Sequence, residues 1–163
     1  MSSGDTLLVF SAWCNEPPAS NYATPDARNG HPCLDFDGDA NESAIFSAVM
    51  PQHYDGGGVM VRLYYAMTSA ESGTIDWDVA FERIGDQQQD VDSDSFAAVN
   101  SVDDTAVPST SGLVDVVEVP FDDGADMDSV AAGDAFRVKV TRDAVSDDAA
   151  NDAELYFVEL IER

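Results

Sequence analysis

Thirty-two acidic residues against seven lysines and arginines give this 163-residue chain a formal charge of −25. That balance argues against primary nucleic-acid binding, which needs clustered cations on phosphate, and against an anionic membrane surface. A hydrophobic fraction of 44% excludes wholesale disorder, and the length fits one β-sandwich domain over residues 1–163 with a core that needs no staple.

The N-terminal residues lack a basic n-region, and the apolar run Leu7–Phe10 is too short for a secretory signal. No stretch approaches the ~20 apolar residues of a membrane helix. The expectation is a chain made in a cytoplasm without an export signal. Leu7–Cys14 reads as a strand by its β-branched and aromatic content. Asn15–Pro32 reads as a long loop or arm, stiffened by Pro17, Pro18, Pro25 and Pro32 and carrying Tyr22, Arg28 and His31. Ala44–Met50 is a second strand.

Two strongly patterned runs follow. Val59–Met67 places Val61, Leu63, Tyr65 and Met67 on one face and Met60, Arg62 and Tyr64 on the other. Thr74–Phe81 sets Ile75, Trp77, Val79 and Phe81 against Thr74, Asp76, Asp78 and Ala80. The turn-forming Thr68–Gly73 between them predicts an antiparallel hairpin. Leu113–Phe121 is a strand whose Pro120 places its end at an edge or a bulge. Asp128–Ala132, before Gly133, predicts a turn of helix. In Ala135–Thr141, Phe136, Val138 and Val140 point inward, while Arg137, Lys139 and Thr141 point outward. Glu154–Ile161 is apolar on both faces: Leu155, Phe157 and Ile161 on one, Tyr156, Val158 and Leu160 on the other. Seven or eight strands joined by Gly/Asp-rich turns predict an all-β antiparallel sandwich, with a jelly roll the first choice.

Chemistry finds little foothold. There is neither a nucleophile elbow nor a phosphate loop, so no enzyme is expected. Cys14 and Cys33 allow one disulfide but read better as two inert thiols. Cys14, His31, Cys33 and His53 match no zinc spacing. Asp35, Asp37, Asp39 and Asn41 resemble the start of a calcium loop, yet Ala40 and Phe46 stand where an EF-hand needs Gly and Glu. Asp90, Asp92 and Asp94 form a second alternating trio. Solvated turn carboxylates explain both trios better than a bound ion, so no cofactor is expected; calcium is the cation that such trios could hold. Arg137, Lys139 and Arg142 gather three of the seven cations, either for cross-strand pairing or as a contact strip for an acidic neighbour. Tyr64, Tyr156, Trp13 and Tyr22 are either core aromatics or a platform on which a carbohydrate could stack.

The stretch FSAWCNEPPASNYATPDARNGHPCLDFD, with SAIFSAVMP, AAGDAFRVKVTRDA and DAELYFVEL, resembles small β-sandwich proteins encoded among the structural genes of tailed bacteriophages and marine viral sequences. The resemblance covers most of the chain and carries no catalytic or ligand motif. It implies a virion protein that decorates and stabilises a capsid. Its partners would be the major capsid protein and other copies of itself, most simply as a homotrimer. The alternative is a carbohydrate- or receptor-binding jelly roll on a tail or fibre. Expected interface residues are Pro17, Pro18, Tyr22, Arg28 and His31 of the arm, Arg137 and Lys139, and Tyr156, Val158 and Leu160 of the last strand. Acidic loops over Asp86–Asp94, Asp122–Asp128 and Asp143–Asp152 repel one another wherever salt is too dilute to screen them. The melting temperature should therefore rise with sodium chloride; a sharp gain at micromolar calcium instead would indicate a specific site.

Overall fold

Alternation of apolar and polar residues builds two facing antiparallel sheets in the computed structural model, which describes residues 4–163. Ten strands run in chain order: β1 (Thr6–Ser11), β2 (Thr24–Arg28), β3 (His31–Phe36), β4 (Glu42–Val49), β5 (Val59–Met67), β6 (Thr74–Ile84), β7 (Asn100–Ala106), β8 (Asp115–Phe121), β9 (Ala135–Arg142) and β10 (Ala153–Glu162). One sheet has the order β2-β3-β10-β5-β8, with β1 also paired to β10; the other has the order β4-β9-β6-β7. The all-β antiparallel sandwich expected from the strand pattern is what forms. Pro120 lies on β8, an edge strand, where a missing N–H costs no ladder bond on the open side.

The inward faces of β5, β6 and β9 are as the alternation predicts. Val61, Leu63, Tyr65, Ile75, Trp77, Val79, Phe81, Phe136, Val138 and Val140 are all fully buried in one core. The β5–β6 hairpin, however, does not form. β5 belongs to the six-stranded sheet and β6 to the four-stranded one, so Thr68–Gly73 arches from one sheet to the other. Two amphipathic strands joined by a short loop can bury their apolar faces side by side in one sheet or face to face across the core. Here Trp77 decides the matter: its ring packs edge-on against Tyr65 of β5 at 5.6 Å and Phe36 of β3 at 5.1 Å, across the gap between sheets.

Three further expectations are corrected. The Asn15–Pro32 arm is not a free loop. Its first half is pinned to β4, Asn15 Oδ1 accepting from Ile45 N and Glu16 N donating to Ile45 O. Its second half is a β2–β3 hairpin turned by Asn29 and Gly30, at φ 47° and 78°, the left-handed pair that a tight two-residue turn requires. The helical turn expected at Asp128–Ala132 forms at Ala125–Met127 instead, because Asp128 and Ser129 take left-handed φ values of 53° and 60°. Arg142 is not a surface cation. It is fully buried and bidentate to Asp147, at 2.8 and 3.1 Å, and it also donates to the carbonyls of Phe36, Ala149 and Asn151.

The largest correction concerns β10. Its pairing with β5 shifts between Leu155, opposite Tyr65, and Phe157, opposite Tyr64, so Tyr156 is an extra residue. This β-bulge reverses the facing beyond it. Leu155, Val158 and Leu160 all enter the core, whereas Tyr156 and Phe157 are consecutive and both outward. The outer strip Tyr156, Val158 and Leu160 does not exist, because two of the three are fully buried.

Substitutions test these facings by chemical denaturation. Trp77→Ala should cost ~3–5 kcal/mol. Asp78→Ala should cost under about 0.5 kcal/mol, as an outward surface change. Asp76 is outward but buried and accepts from Asp104 N at 2.7 Å, so Asp76→Ala should cost about 1 kcal/mol. Val158→Asp should abolish folding, not merely separate subunits; a folded monomeric variant would show that the bulge is misplaced.

Candidate functional site

The bulge and the β2–β3 hairpin together make a groove on the outer face of the six-stranded sheet. β10 is flanked on one side by β5 along its whole length. On its other side β3 pairs only with Ala153–Leu155, and β1 takes over from Phe157 onward. With that flank occupied by β1, the hairpin end carries Arg28, Asn29 and His31 over the sheet face. Arg28 reaches across β10 to donate to Met67 O of β5 at 3.1 Å.

The result is a cavity of about 390 Å³ lined by Arg28, Asn29, His31, Tyr64, Gly112, Val114, Tyr156 and Phe157. Phe157 is 47% exposed, and its ring meets Tyr64 at 90° with centroids 6.2 Å apart. Beneath the rings two glutamates set the geometry. Glu154 Oε2 accepts from Arg28 Nη1 at 2.8 Å and from the Tyr156 hydroxyl at 2.9 Å. Glu159 accepts from the Tyr64 hydroxyl and from Thr6 Oγ1, both at 2.6 Å. Bonds from Thr6 and Tyr64 hold the Glu159 carboxyl below its usual range. The same bond, with burial, pushes the Tyr64 phenol up. Burial, then the bond to Glu154, pushes the Tyr156 phenol up as well. Both tyrosines therefore stay neutral, oriented donors under physiological conditions, and the aromatic faces are fixed before any ligand arrives.

Beside the groove, Cys33, Asp35 and Glu154 bring a thiol and two carboxylates within 4.8 Å of one another. Burial, with the charges of Glu154 and Asp35, pushes the Cys33 thiol up to about 12. Asp35 Oδ1 is buried without a hydrogen-bond partner among the described residues. Burial pushes the Asp35 carboxyl up to about 7, and the neighbouring Asp26, which a protonated Asp35 can bond, acts in the same direction. The other residues weighed for metal binding are dispersed. Asp37 Oδ1 accepts from Asp39 N, and Asn41 Nδ2 donates to Asp143. Cys14 and Cys33 are both free, the first exposed and the second buried. His31 is at the groove, and His53 is exposed elsewhere.

The structure splits the other site residues named from sequence. Arg28, His31 and Tyr156 converge at the groove. Tyr22 bridges to Ser43 of β4, and Pro17 and Pro18, between Glu16 and Tyr22, are not among the groove residues. Arg137 and Lys139 belong to the other sheet. Arg137 pairs with its cross-strand neighbour Glu82 at 3.1 Å and with Asp94 at 2.8 Å, while Lys139 sits 4.5 Å from the Phe96 ring centre. Of the four aromatics named as a stacking platform, Tyr64 and Tyr156 both line the groove, whereas Trp13, 69% exposed, and Tyr22 do not. Phe157 was missed because strict alternation places it inward. The available signal was the run Leu155–Val158, four apolar residues that period two cannot sort.

No protein-family model matches the chain, and no curated protein matches it. Solved structures do. An exo-β-1,3-galactanase from Phanerochaete chrysosporium, solved with galactose, is 15% identical with a TM-score of 0.54, over 98% of this chain and 29% of that one. This chain thus spans under a third of the galactanase. A xylan-binding module is 10% identical with a TM-score of 0.50, over 96% of this chain and 97% of the module. The fold is a jelly-roll β-sandwich. At such identities the likeness establishes the jelly roll and nothing finer.

Carboxyls raised by burial, Asp35 near the groove and three in the other sheet, make stability depend on pH. Asp35 is raised from 3.8 to about 7 in the fold, so its proton contributes stability that is complete below about pH 4 and is lost as pH rises through about 7. Glu42, Asp76 and Glu82, all raised by burial, act with the same sign. In constant high salt the melting temperature should climb from pH 8 to pH 5. Asp35→Asn should flatten that climb. A wild-type melting temperature that falls over this interval would refute the assignment.

Proposed function

We propose that this chain is a carbohydrate-binding module without chemistry of its own, and that it holds a glycan in the groove of Tyr64, Tyr156 and Phe157. The observation that carries this reading is the groove's build. Apolar rings stand beside a few oriented polar groups, in a cavity within the roughly 300–1,000 Å³ range of small-ligand sites. A sugar ring offers C–H faces to aromatic surfaces and hydroxyls to a rim such as Arg28, Asn29 and His31. The non-catalytic reading is supported by Glu154 and Glu159, whose carboxylates are bound to neighbouring side chains and so poorly placed as a free acid/base pair. The likeness to a xylan-binding module and to a galactanase solved with galactose agrees with this reading.

The capsid-decoration reading rests on the resemblance alone and gains no support from the solved structures that match. Two of the interface residues expected with it, Val158 and Leu160, lie inside the sandwich because of the bulge.

A glycan array followed by calorimetry tests the proposal. Phe157→Ala and Tyr156→Ala should each weaken binding at least about tenfold, equivalent to about 1.4 kcal/mol. Trp13→Ala and Tyr22→Ala should leave affinity unchanged. An equal loss from Trp13→Ala would move the site away from the groove, and no bound glycan would overturn the reading.

A further inference from the structure

We infer that the groove's ligand is an acidic glycan whose uronate carboxylates meet Arg28, an inference that rests on the carbohydrate reading above. The chain has 32 acidic residues, yet none is among the eight that line the groove. Arg28 and His31 do line it. The two nearby glutamates are already engaged: Glu154 is paired with Arg28 and bonded by Tyr156, and Glu159 accepts from Thr6 and Tyr64 with Arg62 3.9 Å away.

The geometry of Arg28 sharpens the charge argument. Its Nη1 alone makes both anchoring bonds, to Glu154 and to Met67 O. Its Nε and Nη2 take no part in those two bonds, and the Tyr156 hydroxyl lies close to the guanidinium. Those two nitrogens form one planar edge of the guanidinium, the edge that matches both oxygens of a carboxylate in parallel bonds. Gly112 lets the backbone pack closely against the guanidinium. A Cβ there would come within 2.9 Å of Nη2, and the φ of +80° further disfavours any side chain. The arginine is thus held by one corner and leaves a bidentate donor pair for the groove.

The net charge of −25 repels a polyanion at long range, but the screening length is about 3 Å at 1 M salt, so the contact itself then decides. Binding should therefore be measured at about 1 M sodium chloride, on polygalacturonate, alginate and glucuronoxylan. Each is paired with its carboxyl-reduced, neutral counterpart. At least one acidic polymer should bind about tenfold or more tightly than its neutral partner. Arg28→Gln should bring that ratio to about one, and Gly112→Ala should lower it. Arg163→Gln removes the same charge from a pair with Asp122 outside the groove lining and should leave the ratio unchanged. Equal binding within every pair overturns the acidic-glycan inference while the carbohydrate reading stands. Binding to neither member of any pair overturns both.

Discussion

One extra residue in β10 sets the layout of the six-stranded sheet and of everything on its outer face. β10 must pair with β5 along its length while exchanging β3 for β1 on its other flank. Without the bulge at Tyr156, strict alternation would send Phe157 into the core and turn Val158 and Leu160 out to solvent. With it, the core receives Leu155, Val158 and Leu160, and two consecutive aromatics face outward at the point where the flanking strand changes. A bulge bends its strand and increases the local twist, which suits a site where one neighbour ends and another begins. The same event therefore closes the core and opens the groove.

The scarce cations show a second economy. All six arginines are in ion pairs: Arg28 with Glu154, Arg62 with Glu118, Arg83 with Asp134, Arg137 with Glu82, Arg142 with Asp147 and Arg163 with Asp122. Their energetic weights differ greatly. The exposed pairs contribute at most about 1 kcal/mol each. The Arg142–Asp147 pair is almost completely buried, and losing either partner would strand a charge in the interior at a cost of about 3–5 kcal/mol. Arg142 also bonds the carbonyl of Phe36 in the opposite sheet, so it ties the β9–β10 connection to both layers. Arg137 and Arg163 are also anchored through Nη1 alone, but Arg28 is the arginine that lines the groove.

Burial against like charge is the third theme. Asp35, Glu42, Asp76 and Glu82 all have carboxyls raised by desolvation, whereas Asp134 is lowered by Arg83 and Glu159 by hydroxyl donors. An acid excess is tolerable when most carboxylates are solvated in loops. At those four, burial outweighs the donors they have, and the neutral form is favoured.

Strand identity was legible wherever one side of a run is uniformly large and apolar. Thr74–Phe81 and Ala135–Thr141 show this, because period two leaves such a run only one way to face a core. All-β class and the acid excess follow from composition and alternation alone, and Pro120 restricts its strand to an edge or a bulge, of which the structure has the edge. The prolines of the arm argue for a loop, whereas Asn29-Gly30 is the local signal for the hairpin that forms. What the sequence could not decide depends on partners distant along the chain. Whether β5 and β6 lie side by side or face to face turns on Trp77 finding Tyr65 and Phe36 across the core. Whether Tyr156 and Phe157 share a face turns on a register shift against β5, about ninety positions away in the chain. Alternation is a local rule with period two, and a bulge breaks it at a place that only the neighbouring strands select.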